Sequence, residues 1–303
     1  MLYRYLAALV IAGVLPATAL ACDACGCGIG GGGFGLLSVY RNNYVGLSHG
    51  YVPFRSRLTS GEYTGTEDVF HTTELFVRYE PLFRVRADVF LPYRHNVRTG
   101  PAGDQSLSGF GDVRLGLSYV LTDGQPLGIG LWSVYWEAGL TASLPTGRYE
   151  ENLLDSHYLP DNFTPGKNAV GLGAQTAVVL SNGKWGVALN ARHQRYGKST
   201  AYYRFGAETE AGARLFGQFV HDPHWKIIPY AGITREYTAA NTTVGEQRVH
   251  ATGGNSWLAG GGVNVRYDDL TLALHVAQPF GHHYSDGLAE AGLRGTAQII
   301  YNF

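Results

Sequence analysis

Cysteine stops at residue 27. Cys22, Cys25 and Cys27 sit within six residues, and no other cysteine occurs in the 303-residue chain. No disulfide framework can therefore hold the body of the protein together. Charge is also scarce: Asp, Glu, Lys and Arg make up 16% of the residues, and the net charge is about −1. So neutral a chain offers no bulk attraction to nucleic acid or an acidic partner. Beyond the N-terminal segment no apolar run reaches the length of a membrane helix, and no sustained helical period appears. A G-x-S-x-G nucleophile motif is missing too. Ser48-His49 and Ser156-His157 are sequence neighbours, and neighbouring strand side chains point to opposite faces. Nothing in the sequence reads as an enzyme.

Glycine and aromatics are abundant instead: 42 Gly, 20 Tyr and 13 Phe. That balance suits many strands facing apolar surroundings. Residues 1–21 read as a secretory signal. Arg4 gives the positive start, Leu6 to Leu15 the apolar run, and Ala19-Leu20-Ala21 the small-residue cleavage site. The alternative, a first transmembrane helix, is disfavoured because the run is too short and ends at Pro16.

From about residue 42 the pattern has period two. Val113, Leu115, Leu117, Tyr119 and Leu121 alternate with Arg114, Gly116, Ser118 and Val120. The same alternation runs through residues 84–94 and 269–277. It predicts about twelve strands, near 42–58, 69–80, 83–97, 109–122, 130–146, 169–181, 184–197, 205–219, 225–238, 253–267, 269–281 and 288–303, each long enough to cross a bilayer when tilted. Short connections such as "NG" at 182–183 alternate with long polar ones such as "GRYEENLLDSHYLPDNFTPGKN" at 147–168. Tight turns on one side and long loops on the other are how an outer-membrane barrel reads. The last strand alternates up to a terminal Phe303, which resembles the signal read by the barrel-assembly machinery. The expected fold is an all-β, transmembrane, antiparallel up-and-down β-barrel. In lipid every backbone donor and acceptor must be paired, and a closed sheet has no edge.

Two resemblances follow from particular stretches. "GFGDVRLGLSYVL" (109–121) with "AGLTASLPTGRY" (138–149) resembles the bacterial outer-membrane family named for the meta-pathway of phenol degradation. "CDACGCG", "NNYVGLSHGY", "TTELFVRYEP", "DVFLPYRHN", "GFGD", "SLPTG", "YRFGAETEAG" and "TGGNS" occur in order. They resemble an exported barrel family that begins with Cys-x-x-Cys-Gly-Cys. The first resemblance implies a transporter; the second implies a link to periplasmic copper handling.

If Val, Leu and Tyr positions face lipid, the opposite faces carry Glu74, Arg78, Arg86, Asp88, Arg94, Arg114, Arg192, Glu208, Glu210, Arg214, Arg266, Glu290 and Arg294. They could form a charged constriction selecting anions or zwitterions, or an ion-pair network that fills and stiffens a narrow barrel. The loop at 147–168 could close over the mouth, bind a cation or act as a lid. The simpler reading is a solvated surface loop. His282-His283 with His275 could bind a transition metal, and His49, His157 and His250 are further candidates; scattered loop histidines are more often just polar residues. For Cys22, Cys25 and Cys27 the readings are lipidation at Cys22, one periplasmic disulfide with a thiol left over, a soft-metal site for copper, or a flexible leader.

The resulting plan is a signal peptide (1–21), a Cys/Gly-rich periplasmic segment (22–41) and an outer-membrane barrel (42–303). Passive passage of a small solute through the lumen is the leading function. The alternatives are a non-conducting barrel relaying copper through its cysteines, and a barrel acting through its outward loops in adhesion.

Overall fold

The computed structural model describes residues 43–56, 65–100, 103–128, 131–151, 153, 159–200, 203–220, 224–243 and 247–303. The expected signal segment and the three cysteines lie outside the described residues.

Fifteen strands form one antiparallel sheet: β1 (Tyr44–Ser56), β2 (Glu67–Leu82), β3 (Val85–Thr99), β4 (Gln105–Phe110), β5 (Val113–Pro126), β6 (Ser133–Leu144), β7 (Gly171–Ser181), β8 (Trp185–Tyr196), β9 (Glu208–Gly217), β10 (Phe219–Val220), β11 (Trp225–Thr238), β12 (Gly254–Tyr267), β13 (Leu270–Tyr284), β14 (Ala289–Ala291) and β15 (Arg294–Asn302). Three pairs are interrupted halves of one stave: β4 with β5, β9 with β10, and β14 with β15. The sheet therefore has twelve staves. It closes because β1 pairs with β2 on one side and with β14 and β15 on the other. No helix among the described residues is long and apolar enough to cross a membrane; the chain crosses with strands.

Each stave sorts its side chains as the sequence alternates. On β5, Leu115, Leu117 and Tyr119 are exposed on the outer wall, while Ser118 and Val120 are buried inside. Leu140, Leu172, Leu189, Leu215, Leu272 and Leu274 continue the apolar outer belt around the ring. Aromatic rings collect beside the tight turns, with Trp185 edge-on to Phe219 and Trp225 beside Tyr267. Such rings suit the boundary between hydrocarbon and water. Inside, glycine makes room for large neighbours: a Cβ at Gly46 would collide with the Phe76 ring.

The interruptions matter for what faces inward. Ala291 on β14 sits opposite inward-facing Phe54, so Glu290 sits opposite Arg55 on the outer side. Gly292 and Leu293 then break the ladder, and Arg294 resumes it facing inward. Two inward positions three residues apart cannot belong to one unbroken period of two. Glu290 therefore leaves the expected lumen set, although parity with Arg294 puts it there.

Candidate functional site: the charged lumen

Most of the remaining inward charges are paired. On the wall made by β2, β3 and β6, Arg78 donates to both Asp88 oxygens, at 2.6 and 3.0 Å, and reaches Glu137 at 3.2 Å. Arg86 donates to Glu137 at 3.1 Å and to the Tyr135 hydroxyl, while Tyr135 donates to Glu137 at 2.7 Å. The Arg86 side chain also lies 3.7 Å from Glu80. Arg78, Arg86, Asp88 and Glu137 are all buried. Low dielectric strengthens each attraction, and removal of one partner would strand the others.

Farther round the barrel Arg294 pairs with Glu236 at 2.7 Å and with the Tyr284 hydroxyl at 2.9 Å. Arg98 clasps Asp68 at 2.7 and 2.6 Å. Arg114 pairs with Glu74, and Lys167 with Glu208, whose other oxygen accepts from Tyr196 at 3.0 Å. Arg192 stands 3.9 Å from Glu210, and Asn190 bridges Glu210 and Arg214. Arg266 lies at the β12–β13 turn and donates to the Asp268 carbonyl, away from the centre. Arg94 lines the mouth.

The expected set thus comes together except for Glu290 and Arg266. Sequence reading misses Asp68, Arg98, Glu137, Lys167 and Glu236. Asp68 and Arg98 fall one residue outside the expected strands, yet they share phase with Glu74 and Arg94, so extending the alternation by one step finds them. Glu137 sits where Trp136, Ala138 and Gly139 blur the pattern.

The described residues of the loop between β6 and β7 fold inward rather than into solvent. It leaves the fifth and sixth staves and crosses to the opposite wall. There Leu153, Leu159 and Phe163 are fully buried against Val52, Phe54, Phe70, Leu107, Tyr284 and Ala291. The Phe163 ring packs tilted against Phe70 with centroids 5.0 Å apart, and its carbonyl accepts from Asn96 at 2.8 Å. Both ends of the loop are clamped at Asp112, whose two oxygens accept the backbone N–H groups of Gly147, at 3.0 Å, and Lys167, at 2.8 Å. Gly147 and Gly166 touch here: a Cβ on Gly147 would lie 2.8 Å from Gly166 Cα. The stretches "GFGD", "PTG" and "PGK" therefore meet at one point.

Among the described residues, two chambers open in the lumen beneath this loop. The mouth-side chamber has ≈ 70 Å³ open to water centres, and the inner one ≈ 110 Å³. One water centre needs about 10–15 Å³, so each holds several waters. Both chambers are lined by Arg114, Arg192 and Gln194, which mark the junction.

His49, His71 and His95 form a row across β1, β2 and β3, with ring centroids 5.5 and 6.0 Å apart, and His282, His283 and His275 do not join it. His275 faces inward and shares a hydrogen bond with Tyr230 at 3.2 Å. Among the described residues no group of three His, Cys, Asp or Glu could hold a metal ion. His157 lies outside them.

A closed twelve-stave sheet with an apolar outer belt and a polar, charged interior defines an outer-membrane β-barrel. A sequence model of the family described as "Putative MetA-pathway of phenol degradation" matches residues 53–293, and the chain belongs to that family. Its fold is similar to the COG4313 outer membrane channel from Pseudomonas putida F1, at 17% identity and a TM-score of 0.61, over 87% of this chain and 98% of that one. The beta domain of the Bordetella autotransporter BrkA aligns at 12% identity and a TM-score of 0.48, over 87% of this chain and all of that one. No curated protein sequence matches significantly.

Proposed function

We propose that the barrel is a gated channel for passive passage of a small solute across the outer membrane. The observation that supports this best is the pair of chambers meeting at Arg114 and Arg192 inside a closed barrel. The inward loop clamped at Asp112 serves as the gate at the mouth. The lumen charges set selectivity, since fixed charges at a narrow point act in low dielectric. Similarity to a solved outer membrane channel agrees with this reading. The protein moves its solute down a gradient and does no chemistry on it. Phe303, exposed at the end of the last stave, serves recognition by the assembly machinery.

Planar-bilayer recording of the purified, folded barrel tests the reading. Discrete ion conductance is expected, and a barrel that stays silent across voltages and pH overturns it.

A further inference from the structure

The mouth-side chamber is lined by four cations, Arg94, Arg114, Lys167 and Arg192, and three carboxylates, Glu74, Asp112 and Glu208. Arg114 is taken by Glu74, and Lys167 by Glu208. Arg192 faces Glu210, and both Asp112 oxygens hold backbone N–H groups. Arg94 is left over. No hydrogen bond or ion pair joins it to any described residue, and its Nε is sealed without a partner. It springs from the inner face of β3 beside Gly111; a Cβ there would lie 3.6 Å from Arg94 Nε and 3.0 Å from the Pro165 carbonyl oxygen. Only the Nε is sealed, and the residue lines the chamber, so the terminal nitrogens are the atoms a ligand there can reach. A guanidinium costs free energy in such a place unless something anionic meets it.

We propose that Arg94 is the anion-binding group of a subsite for small organic monocarboxylates. The proposal rests on the channel reading and names its solute class. Three observations select that class. A guanidinium presents two parallel donors that match a carboxylate. Only one cation is uncommitted, and three carboxylates stand in the same wall, so a second negative charge on the ligand would be repelled. Pro92, Pro165, Tyr196 and Phe205 line the rest, which suits a compact apolar body behind the carboxylate.

Equilibrium dialysis of labelled benzoate at neutral pH, against the purified full-length barrel, reads the site directly. Wild type is expected to bind benzoate, with benzyl alcohol a poor competitor. Arg94→Gln is expected to bind at least about tenfold more weakly, as a lost charge-assisted contact predicts. Arg94→Lys keeps the charge without the fork and falls several-fold, which decides the matter if the Gln variant does not fold on a heat-modifiability gel. Absence of benzoate binding to wild type, or equal binding by wild type and the folded variants, overturns the proposal. Tighter binding of inorganic phosphate than of benzoate overturns the carboxylate assignment. A silent barrel in the bilayer overturns passage and leaves the dialysis result standing, so the two failures are told apart.

Discussion

Arg78, Arg86, Asp88 and Glu137 come from three strands and meet on one side of the lumen, with Tyr135 closing the cluster. Glu137 is the member that both arginines share. Replacing it by Gln removes one charge and leaves two buried guanidinium groups partly uncompensated. The expected loss is about 3 kcal/mol, the scale for breaking a buried pair. Urea unfolding in lipid vesicles, followed by Trp fluorescence, measures it. A loss below about 0.5 kcal/mol would mean that lumen water already screens the cluster as it would at a surface. A second residue reports on the loop. Burial raises the Asp161 carboxyl above its ordinary range, with the hydrogen bond from Tyr203 working against it. The folded loop therefore binds that proton better than the unfolded loop does. Its contribution to closure is complete below the ordinary carboxylate pKa, about 4, and fades as pH rises through the raised value. Single-channel open time is expected to fall on acidification through that range, and Asp161→Asn to abolish this dependence. A pH response unchanged in Asp161→Asn would assign the gating to another group.

Single elements carry the gate. Asp112 sits in the break between β4 and β5, where its carboxylate meets both loop ends. Charge-assisted hydrogen bonds of this kind contribute about 1.5–3 kcal/mol each. Asp112→Ala removes two of them without touching the bilayer belt. Mean conductance should rise, and limited proteolysis should begin to cut within 148–165. If conductance and protease resistance both stay at wild-type levels, the loop is held by its apolar cluster alone. The loop is legible in the sequence but reads as solvated, because most of its residues are polar. The informative signal is the minority: Leu153, Leu159 and Phe163 are apolar residues in a segment too polar to need them, and each is buried. The three interruptions, at 111–112, 218 and 292–293, are likewise invisible to alternation. A bulge restarts the period without leaving a polar or apolar mark. Glu290 shows the consequence, since every position on its side of Gly292 changes face.

The closed barrel as a whole is read almost entirely from period two, because lipid outside and water inside impose opposite chemistry on alternate residues. Twelve staves and their order follow from it and from the alternation of loop length. The interior is less legible. Facing is a property of one strand, whereas pairing such as Arg78 to Glu137, or Arg294 to Glu236, depends on which strands end up across from each other. Both chambers carry one more cation than carboxylate among their lining residues. Reversal potentials under a KCl gradient are therefore expected to favour chloride modestly. Arg114→Glu, placed where the chambers join, should swing the preference toward potassium. Unchanged selectivity would put the limiting constriction elsewhere.

Gly147 and Gly166 touch, so the chain leaves the rim and returns to it at a single point. Geometrically, residues 148–165 form a closed ring hung on the barrel, and their length is not constrained by the span between two staves. Loop closure cost grows only slowly with length. Related chains can therefore exchange this ring for longer, shorter or differently charged versions while the staves keep their register. What the channel admits can then change without any change in how the wall is built.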